Sequence, residues 1–174
     1  MATTRIILGL LCCIGTLGNG MSNRHLLVQH SAQKELVAIA ITQLGVRETG
    51  SNNHGAHVKK YLAYTHLKEG HSWCAAFVSW VFGQAGYSQP QTAWSPALFP
   101  KGKQVLVPHS GDVLGLYSTE KGRIVHCGLV ERTQSDWVIA IEGNTNVNGS
   151  SDGDGVYRKW RHRKTIALYA HWLP

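Results

Sequence analysis

The apolar residues of this chain change their spacing near Lys103, and that change limits the folds open to it. Before this point the apolar positions recur at helical spacing, which predicts three helices: Ser31–Leu44, Ala56–Leu67 and Trp73–Ala85. After it, short segments rich in β-branched and aromatic residues alternate with turn residues, which predicts six strands: Gln104–Val107, Asp112–Tyr117, Ile124–Glu131, Trp137–Glu142, Val156–Trp160 and Ile166–Trp172. Helices followed by closely spaced strands predict an α+β fold, with N-terminal helices packed on a C-terminal antiparallel sheet.

The N-terminus has the layout of a secretory signal peptide. Met1–Arg5 carries one positive charge, Ile6–Leu17 is a mostly apolar run of twelve residues, and small residues follow. Twelve residues are too few to span a bilayer, which takes about 20. We therefore predict a signal peptide at 1–20 and a single domain at 21–174. The mature protein is expected in the periplasm or outside the cell, without stable membrane insertion after cleavage.

The overall charge favours acidic partners. The net charge is +7 and the sequence pI is about 9.4, which suits nucleic acid, an anionic membrane or a cell-wall polymer without choosing among them. Charged residues make up only 16% of the chain and hydrophobic residues 43%. This composition excludes a disordered polyelectrolyte and suits one globular core.

Cys74 is the first candidate for chemistry. It lies in "HSWCAAFVSW", at the predicted start of an apolar helix, with Ser72 as the expected N-cap. Backbone N–H groups and the positive end of the helix dipole stabilise a thiolate in a first helical turn. Such a cysteine is a core residue, half of a disulfide or a nucleophile, and its position favours the last.

The segment "RIVHCGLVE" bears on the choice between disulfide and nucleophile. It alternates like a strand, so His126 and Cys127 are expected to point to opposite faces. If His126 faces the catalytic side, Cys127 faces away from Cys74, which argues against a disulfide between them. We predict that Cys127 is a small buried hydrophobic residue.

The next strand supplies a carboxylate. A hairpin centred near Gln134 pairs His126 with Glu142, with their Cβ atoms roughly 5 Å apart. A carboxylate there accepts the imidazole N–H and fixes its tautomer. Asn144 falls near the same face. Each residue has an ordinary structural explanation alone, but Cys74, His126 and Glu142 together have the order of nucleophile, base and orienting group.

Four ordered segments carry a resemblance to a known family: "WCAAFVSWVFGQAG", "SGDVLGLY", "HCGLVE" and "IEGNTN". Together they resemble the CHAP family (cysteine, histidine-dependent amidohydrolases/peptidases), which belongs to the papain-like group that includes the NlpC-type peptidases. The resemblance covers most of Leu36–Trp160. It implies a papain-like fold with Cys74 as nucleophile, His126 as base, Glu142 as the third catalytic residue and Asn144 as the polar residue that follows it.

The same resemblance implies a substrate. Members of the CHAP family cleave amide bonds in bacterial peptidoglycan. Some cut between muramic acid and the stem peptide (N-acetylmuramoyl-L-alanine amidases), and others cut within stem and cross-bridge peptides (endopeptidases). It implies a thioester mechanism and a cleft lined by Glu48, Asn52 and Asn53. Trp73 is an aromatic wall of that cleft or a core residue. We expect no cofactor or metal, peptidoglycan rather than nucleic acid as partner, and a possible immunity protein.

Two other functions stay open at this point. The basic charge, with the run "RKWRHRK" near the C-terminus, suits a non-catalytic cell-wall or nucleic-acid binding module on the same scaffold. We interpret that run as a solvated strand and turn. An amidase or peptidase with a substrate outside the wall is the other alternative, because a fold does not determine a substrate.

Overall fold

The computed structural model describes residues 17–148 and 152–174, with side chains described from residue 26. Within these residues the α-helices are α1 (Leu17–Thr42), α2 (Ala56–Tyr64) and α3 (Cys74–Gln84). The six strands are β1 (Gln104–Val105), β2 (Val113–Ser118), β3 (Arg123–Gln134), β4 (Trp137–Thr145), β5 (Gly155–His162) and β6 (Leu168–Ala170). Helices therefore precede strands, and the predicted α+β class is confirmed.

The six strands form one sheet in the order β1-β6-β2-β3-β4-β5. Every pairing in it is antiparallel. β3 and β4 lie inside the sheet and form its longest hairpin. Because neighbours flank both strands, the backbones of β3 and β4 are hydrogen-bonded on both sides and hold their side chains in fixed positions.

The N-terminal helix is longer than predicted. Residues 1–16 of the predicted signal peptide lie outside the described residues, while α1 begins at Leu17 and runs without a break to Thr42. Its start therefore precedes the expected Ser31 and includes the last four residues of the predicted signal. Within the described part of the chain, no helix combines the length and the apolar character needed to cross a membrane.

The core lies between the helices and one face of the sheet. α3 is buried along most of its length and packs on β3 and β4. Tyr61 of α2 stacks on Trp73 at 5.5 Å between ring centroids and meets Phe77 edge-on at 5.4 Å. These aromatic contacts fix the first turn of α3 against the rest of the core.

A glycine in β4 sets the distance between α3 and the sheet. A Cβ atom at Gly143 would lie 2.7 Å from both the Phe77 ring and the Trp73 ring. Real Cβ contacts are not this short, so only glycine lets the start of α3 approach β4 so closely. Because Cys74 is the first residue of α3, this contact also places the thiol.

We expect Gly143→Ala to destabilise the protein by about 1–3 kcal/mol, because the added methyl group overpacks the contact between α3 and β4. Urea unfolding followed by circular dichroism measures this change. Gly102→Ala is the matched control, since a Cβ atom at Gly102 meets nothing within 4 Å. Equal stabilities for the two variants would contradict the proposed close packing.

Candidate active site

Cys74 lies in the first turn of α3, as predicted, but the helix begins at Cys74 itself, one residue later than predicted, and its cap differs from the prediction. The N-cap residue is Trp73, not Ser72, and no side chain makes a capping hydrogen bond there. The N–H groups of the first turn are therefore not satisfied by a cap and remain available to an anion. The thiol is only 4% exposed, and its Sγ lies 3.3 Å from Ser95 Oγ.

His126 and Glu142 form the second part of the site. His126 Nε2 lies 2.8 Å from Glu142 Oε2, and Glu142 is fully buried. Arg161 completes the group, because its Nε donates to Glu142 Oε1 at 2.9 Å and its Nη2 donates to Oε2 at 2.6 Å. A carboxylate held in this bidentate way has a fixed orientation and a compensated charge.

The predicted register of the β3–β4 hairpin is wrong, although the predicted contact is present. Leu129 pairs with Ile141, so Gly128, rather than His126, falls opposite Glu142. The turn lies between Gln134 and Trp137, which pair with each other, instead of being centred at Gln134. A bulge near Glu131 also adds one residue to β3. The two effects displace the register by two residues, and an even displacement keeps the side chains on the same face.

Gly128 explains how Glu142 still reaches His126. A Cβ atom at Gly128 would lie only 2.4 Å from Glu142 Cγ. The missing side chain leaves the space that the Glu142 side chain occupies beside the β3 backbone. The contact with His126 is therefore a diagonal cross-strand contact, which long side chains can make.

The prediction that Cys127 faces away from Cys74 is wrong. Both cysteines are free thiols, and both belong to the buried cluster between the helices and the sheet. The ladder is regular at these positions, since Gly115 pairs with Cys127 and Leu116 with His126, so the two residues keep opposite faces of β3. Cys127 lies on the face that packs against α3 and its Cys74. Cys127 is fully buried, as predicted.

The protonation states of the site favour a thiolate. A hydrogen bond with Cys127 holds the pKa of Cys74 well below its usual value; burial opposes this, and His126 and Ser95 add to it. Burial alone would lower the pKa of His126, but hydrogen bonds and charges from Cys74 and Glu142 raise it from 6.5 to about 10. Burial, followed by the negative Cys74, raises the pKa of Cys127. Cys127 therefore stays protonated and acts as a donor.

The buried carboxylate is also ionised. Burial opposes the charge, but hydrogen bonds from Arg161 and His126 lower the pKa of Glu142 from 4.5 to about 2. These shifts favour a Cys74 thiolate, a His126 imidazolium, a Glu142 carboxylate and an Arg161 guanidinium, a combination whose charges balance.

These shifts predict the pH dependence of the protein. His126 has a raised pKa, so its contribution to the free energy of unfolding is complete below 6.5 and is lost as pH rises through about 10. Glu142 has a lowered pKa, so its contribution is complete above 4.5 and is lost as pH falls through about 2. We expect any Cys74-dependent activity to fall on the alkaline side as His126 loses its proton. A rate profile across that range, with stability measured in parallel, tests this, and an activity that keeps rising above pH 10 would contradict it.

Asn144 belongs to a chain of hydrogen bonds that runs from the site through Asn53 and Glu48 to Trp73. Asn144 Nδ2 donates to Asn53 Oδ1 at 2.7 Å, and the Asn53 backbone N–H donates to Glu48 Oε2 at 2.7 Å. Trp73 Nε1 donates to the other oxygen of Glu48 at 2.8 Å. Glu48 therefore connects Trp73, which precedes Cys74, through Asn53 to Asn144, which follows Glu142 by two residues. It holds both sides of the site in position.

The residues expected to line the cleft lie elsewhere. Trp73 is fully buried, because its ring packs between Tyr61 and α3, and so belongs to the core. Glu48 and Asn53 are committed to the hydrogen-bond chain, and exposed Asn52 donates to Asp152 Oδ1 at 3.3 Å. None of these four residues borders the groove at Cys74.

The groove itself has a volume of about 970 Å³, and the buried Glu142 lies behind its wall. Cys74, His126, Asn144 and Arg161 border it. Its walls come from three other segments: His71 and Ser72 before α3, Thr92 to Ser95, and the β2–β3 turn with Lys121 and Arg123. A substrate in this groove would lie directly against the Cys74 thiol.

Sequence reasoning missed Arg161 and Ser95 as site residues. Arg161 belongs to the basic run interpreted as solvated, and this interpretation is wrong for Arg161, whose side chain is 22% exposed and bound to Glu142. A buried carboxylate such as that of Glu142 needs a cation nearby, and the arginines of the next strand, β5, are the natural candidates. The sequence does not show how β4 pairs with β5, so it cannot identify Arg161 among them. Ser95 carries no motif at all.

No metal site accompanies this group in the part of the chain that is described. Among residues 17–148 and 152–174, no cluster of three or more His, Cys, Asp or Glu side chains is placed to hold an ion.

Comparison with known proteins adds little to this geometry. No protein-family model matches the chain, and no curated protein matches it. A solved structure described as "The crystal structure of Ly7917" is similar over 79% of this chain and 60% of that chain, at 14% sequence identity and a TM-score of 0.47. The chain thus spans less than two thirds of that structure, and a likeness this distant carries no argument about fold or function.

Proposed function

We propose that the protein is an exported peptidoglycan hydrolase that cleaves amide bonds through a Cys74 thioester. The observation that carries the proposal is that Cys74 and His126 border one groove, while His126 is hydrogen-bonded to the buried Glu142, which in turn binds Arg161. A structural cysteine needs no imidazolium partner, and a structural histidine needs no buried carboxylate. The combination is what an activated sulfur nucleophile requires.

The mechanism follows from the charges. The Cys74 thiolate attacks the amide carbonyl carbon, a C–S bond forms, and the electron pair moves to oxygen. The Cys74 backbone N–H at the start of α3 stabilises this oxyanion. As the C–N bond breaks, His126 gives its proton to the leaving amine. Neutral His126 then takes a proton from water, which attacks the thioester and releases the acid and the Cys74 thiolate.

Glu142 and Arg161 keep His126 ready for both steps. Glu142 accepts the imidazole N–H, which leaves the other ring nitrogen to exchange a proton with Cys74 and the substrate. Arg161 keeps Glu142 ionised in a buried position. Glu142 thus stabilises the imidazolium without taking its proton.

A papain-like fold and the CHAP family are part of the proposal. A nucleophile at the start of a helix that packs on an antiparallel sheet, with base and carboxylate on adjacent strands, agrees with the arrangement that the four sequence segments imply. The wall as substrate is supported by those segments, and the net charge of +7 favours approach to an anionic wall polymer. Export is proposed from the signal-like N-terminus.

The experiment is digestion of purified sacculi by the protein and by its Cys74→Ala variant, with mass spectrometry of the released fragments. We expect fragments only with the unaltered protein. Their masses distinguish an N-acetylmuramoyl-L-alanine amidase from an endopeptidase. No fragments from either protein, with folding verified by circular dichroism and an established hydrolase active on the same sacculi, would refute the proposal and favour a binding module.

A further inference from the structure

Trp94 is an exposed aromatic side chain beside the nucleophile. It precedes Ser95, whose Oγ lies 3.3 Å from Cys74 Sγ, and it borders the same groove. Its side chain is 53% exposed, whereas Trp73 of the core is fully buried. An exposed indole next to a reactive thiol offers a flat surface for an apolar chain or a sugar ring.

Arg123 lies over this indole. Its Cζ is 4.3 Å from the centroid of the Trp94 ring, and its Nη1 donates to the backbone carbonyl of Ile124 at 3.1 Å. These two contacts fix the plane of the guanidinium, and a guanidinium has five N–H donors. The remaining donors are available to a ligand in the groove.

The charge of Arg123 is not compensated within the described residues. No carboxylate there forms an ion pair with it, whereas Glu142 binds Arg161 through both oxygens. The adjoining turn adds one positive and one negative exposed side chain, Lys121 and Glu120. This wall is therefore net positive and carries an oriented guanidinium that fits a carboxylate bidentately.

We propose that Arg123 and Trp94 form a subsite for a free peptide carboxylate next to the scissile amide, so that the enzyme selects acidic stem peptides over their amidated forms. This inference rests on the proposed function and adds a specificity-determining pair to it. The carboxylate belongs to the bound peptide, because the subsite adjoins Cys74 through Ser95 in one continuous groove. Trp94 supports the aliphatic part of that peptide.

The test uses two synthetic muropeptides that differ only in a carboxylate or a carboxamide beside the scissile bond. We expect the kcat/KM of the unaltered protein to be about 10- to 100-fold higher for the carboxylate form than for the carboxamide form. This is the gain typical of one charge-assisted hydrogen-bond pair, here between Arg123 and the carboxylate. Arg123→Gln should abolish that preference, and Arg123→Lys should keep only part of it. Arg132→Gln is the matched control, because Arg132 also lies over a tryptophan, Trp160 at 6.0 Å, but outside the groove.

Binding measurements separate this inference from the proposed function. Calorimetry of both muropeptides with the Cys74→Ala variant needs no hydrolysis, so a carboxylate preference that depends on Arg123 would support the subsite even if no cleavage occurs. Equal kcat/KM values and equal affinities for the two peptides would overturn it. An Arg123-dependent affinity for poly(glycerol phosphate) that exceeds that for the acidic peptide would also overturn it, in favour of a phosphate site.

Discussion

Replacing Glu142 by Gln is expected to lower kcat/KM by about 10²- to 10⁴-fold, the range associated with loss of a group that supports general acid–base catalysis. The amide cannot carry the charge that holds the pKa of His126 near 10. Less imidazolium and less thiolate would then be present at neutral pH. Glutamine can also present an N–H to the imidazole and stabilise the wrong tautomer.

The same substitution should reduce stability. Arg161 would keep its charge beside a neutral amide in a partly buried position. Breaking a buried pair in this way typically costs about 3–5 kcal/mol. Urea unfolding measures that loss, and kinetics at a temperature where the variant is folded measure the catalytic loss separately.

Glu131→Gln is the matched control. Glu131 lies in the neighbouring strand and also binds two arginines, Arg132 at 2.8 Å and Arg158 at 2.6 Å, but it lies outside the groove. Those arginines are 49% and 39% exposed, so the substitution should cost no more than about 1 kcal/mol and leave kcat/KM unchanged. A folded Glu142→Gln variant as active as the Glu131→Gln variant would contradict the role given to Glu142.

Replacing His126 by Gln should lower kcat by about 10²- to 10⁴-fold, because glutamine can hydrogen-bond to Glu142 but cannot transfer a proton. The Cys74 thiolate also loses its imidazolium partner, so the pKa of Cys74 should rise. Rates on a released-fragment assay and the pH dependence of Cys74 alkylation report the two effects independently.

His171→Gln is the control for that substitution. His171 Nδ1 lies 2.6 Å from Asp112 Oδ1, so it is also a histidine bound to a buried carboxylate, but it does not border the groove. Its replacement should leave kcat unchanged, whatever it does to stability. Equal losses of kcat in the two variants would mean that His126 acts only through the fold.

The sequence predicts the fold class because its signals are local. The periodicities of the helices and strands do not depend on register, and the prediction that His126 and Glu142 share a face holds because the register error is two residues, an even number. The position of Cys74 at the first turn of α3 is likewise local, since it depends only on where one apolar helix begins.

Other parts of the site depend on long-range geometry. Cys127 lies on the face of β3 that packs against α3, and an alternating segment does not show which of its two faces the helices cover. Arg161 reaches Glu142 through the pairing of β4 with β5, which is fixed by packing across the sheet. Trp73 is a core residue because Gly143 lets α3 approach β4, a contact between residues 70 positions apart.

The most direct test of the account is the rate of alkylation of Cys74 by iodoacetamide as a function of pH, read by mass spectrometry of the labelled peptide. Cys127 in the same protein is an internal comparison, since its pKa is raised. The account predicts that Cys74 reacts well below the pH at which an ordinary thiol ionises, and that His126→Gln moves this reaction to higher pH. If Cys74 in the unaltered protein ionises like an ordinary thiol, it is not an activated nucleophile, and the proposed mechanism is wrong.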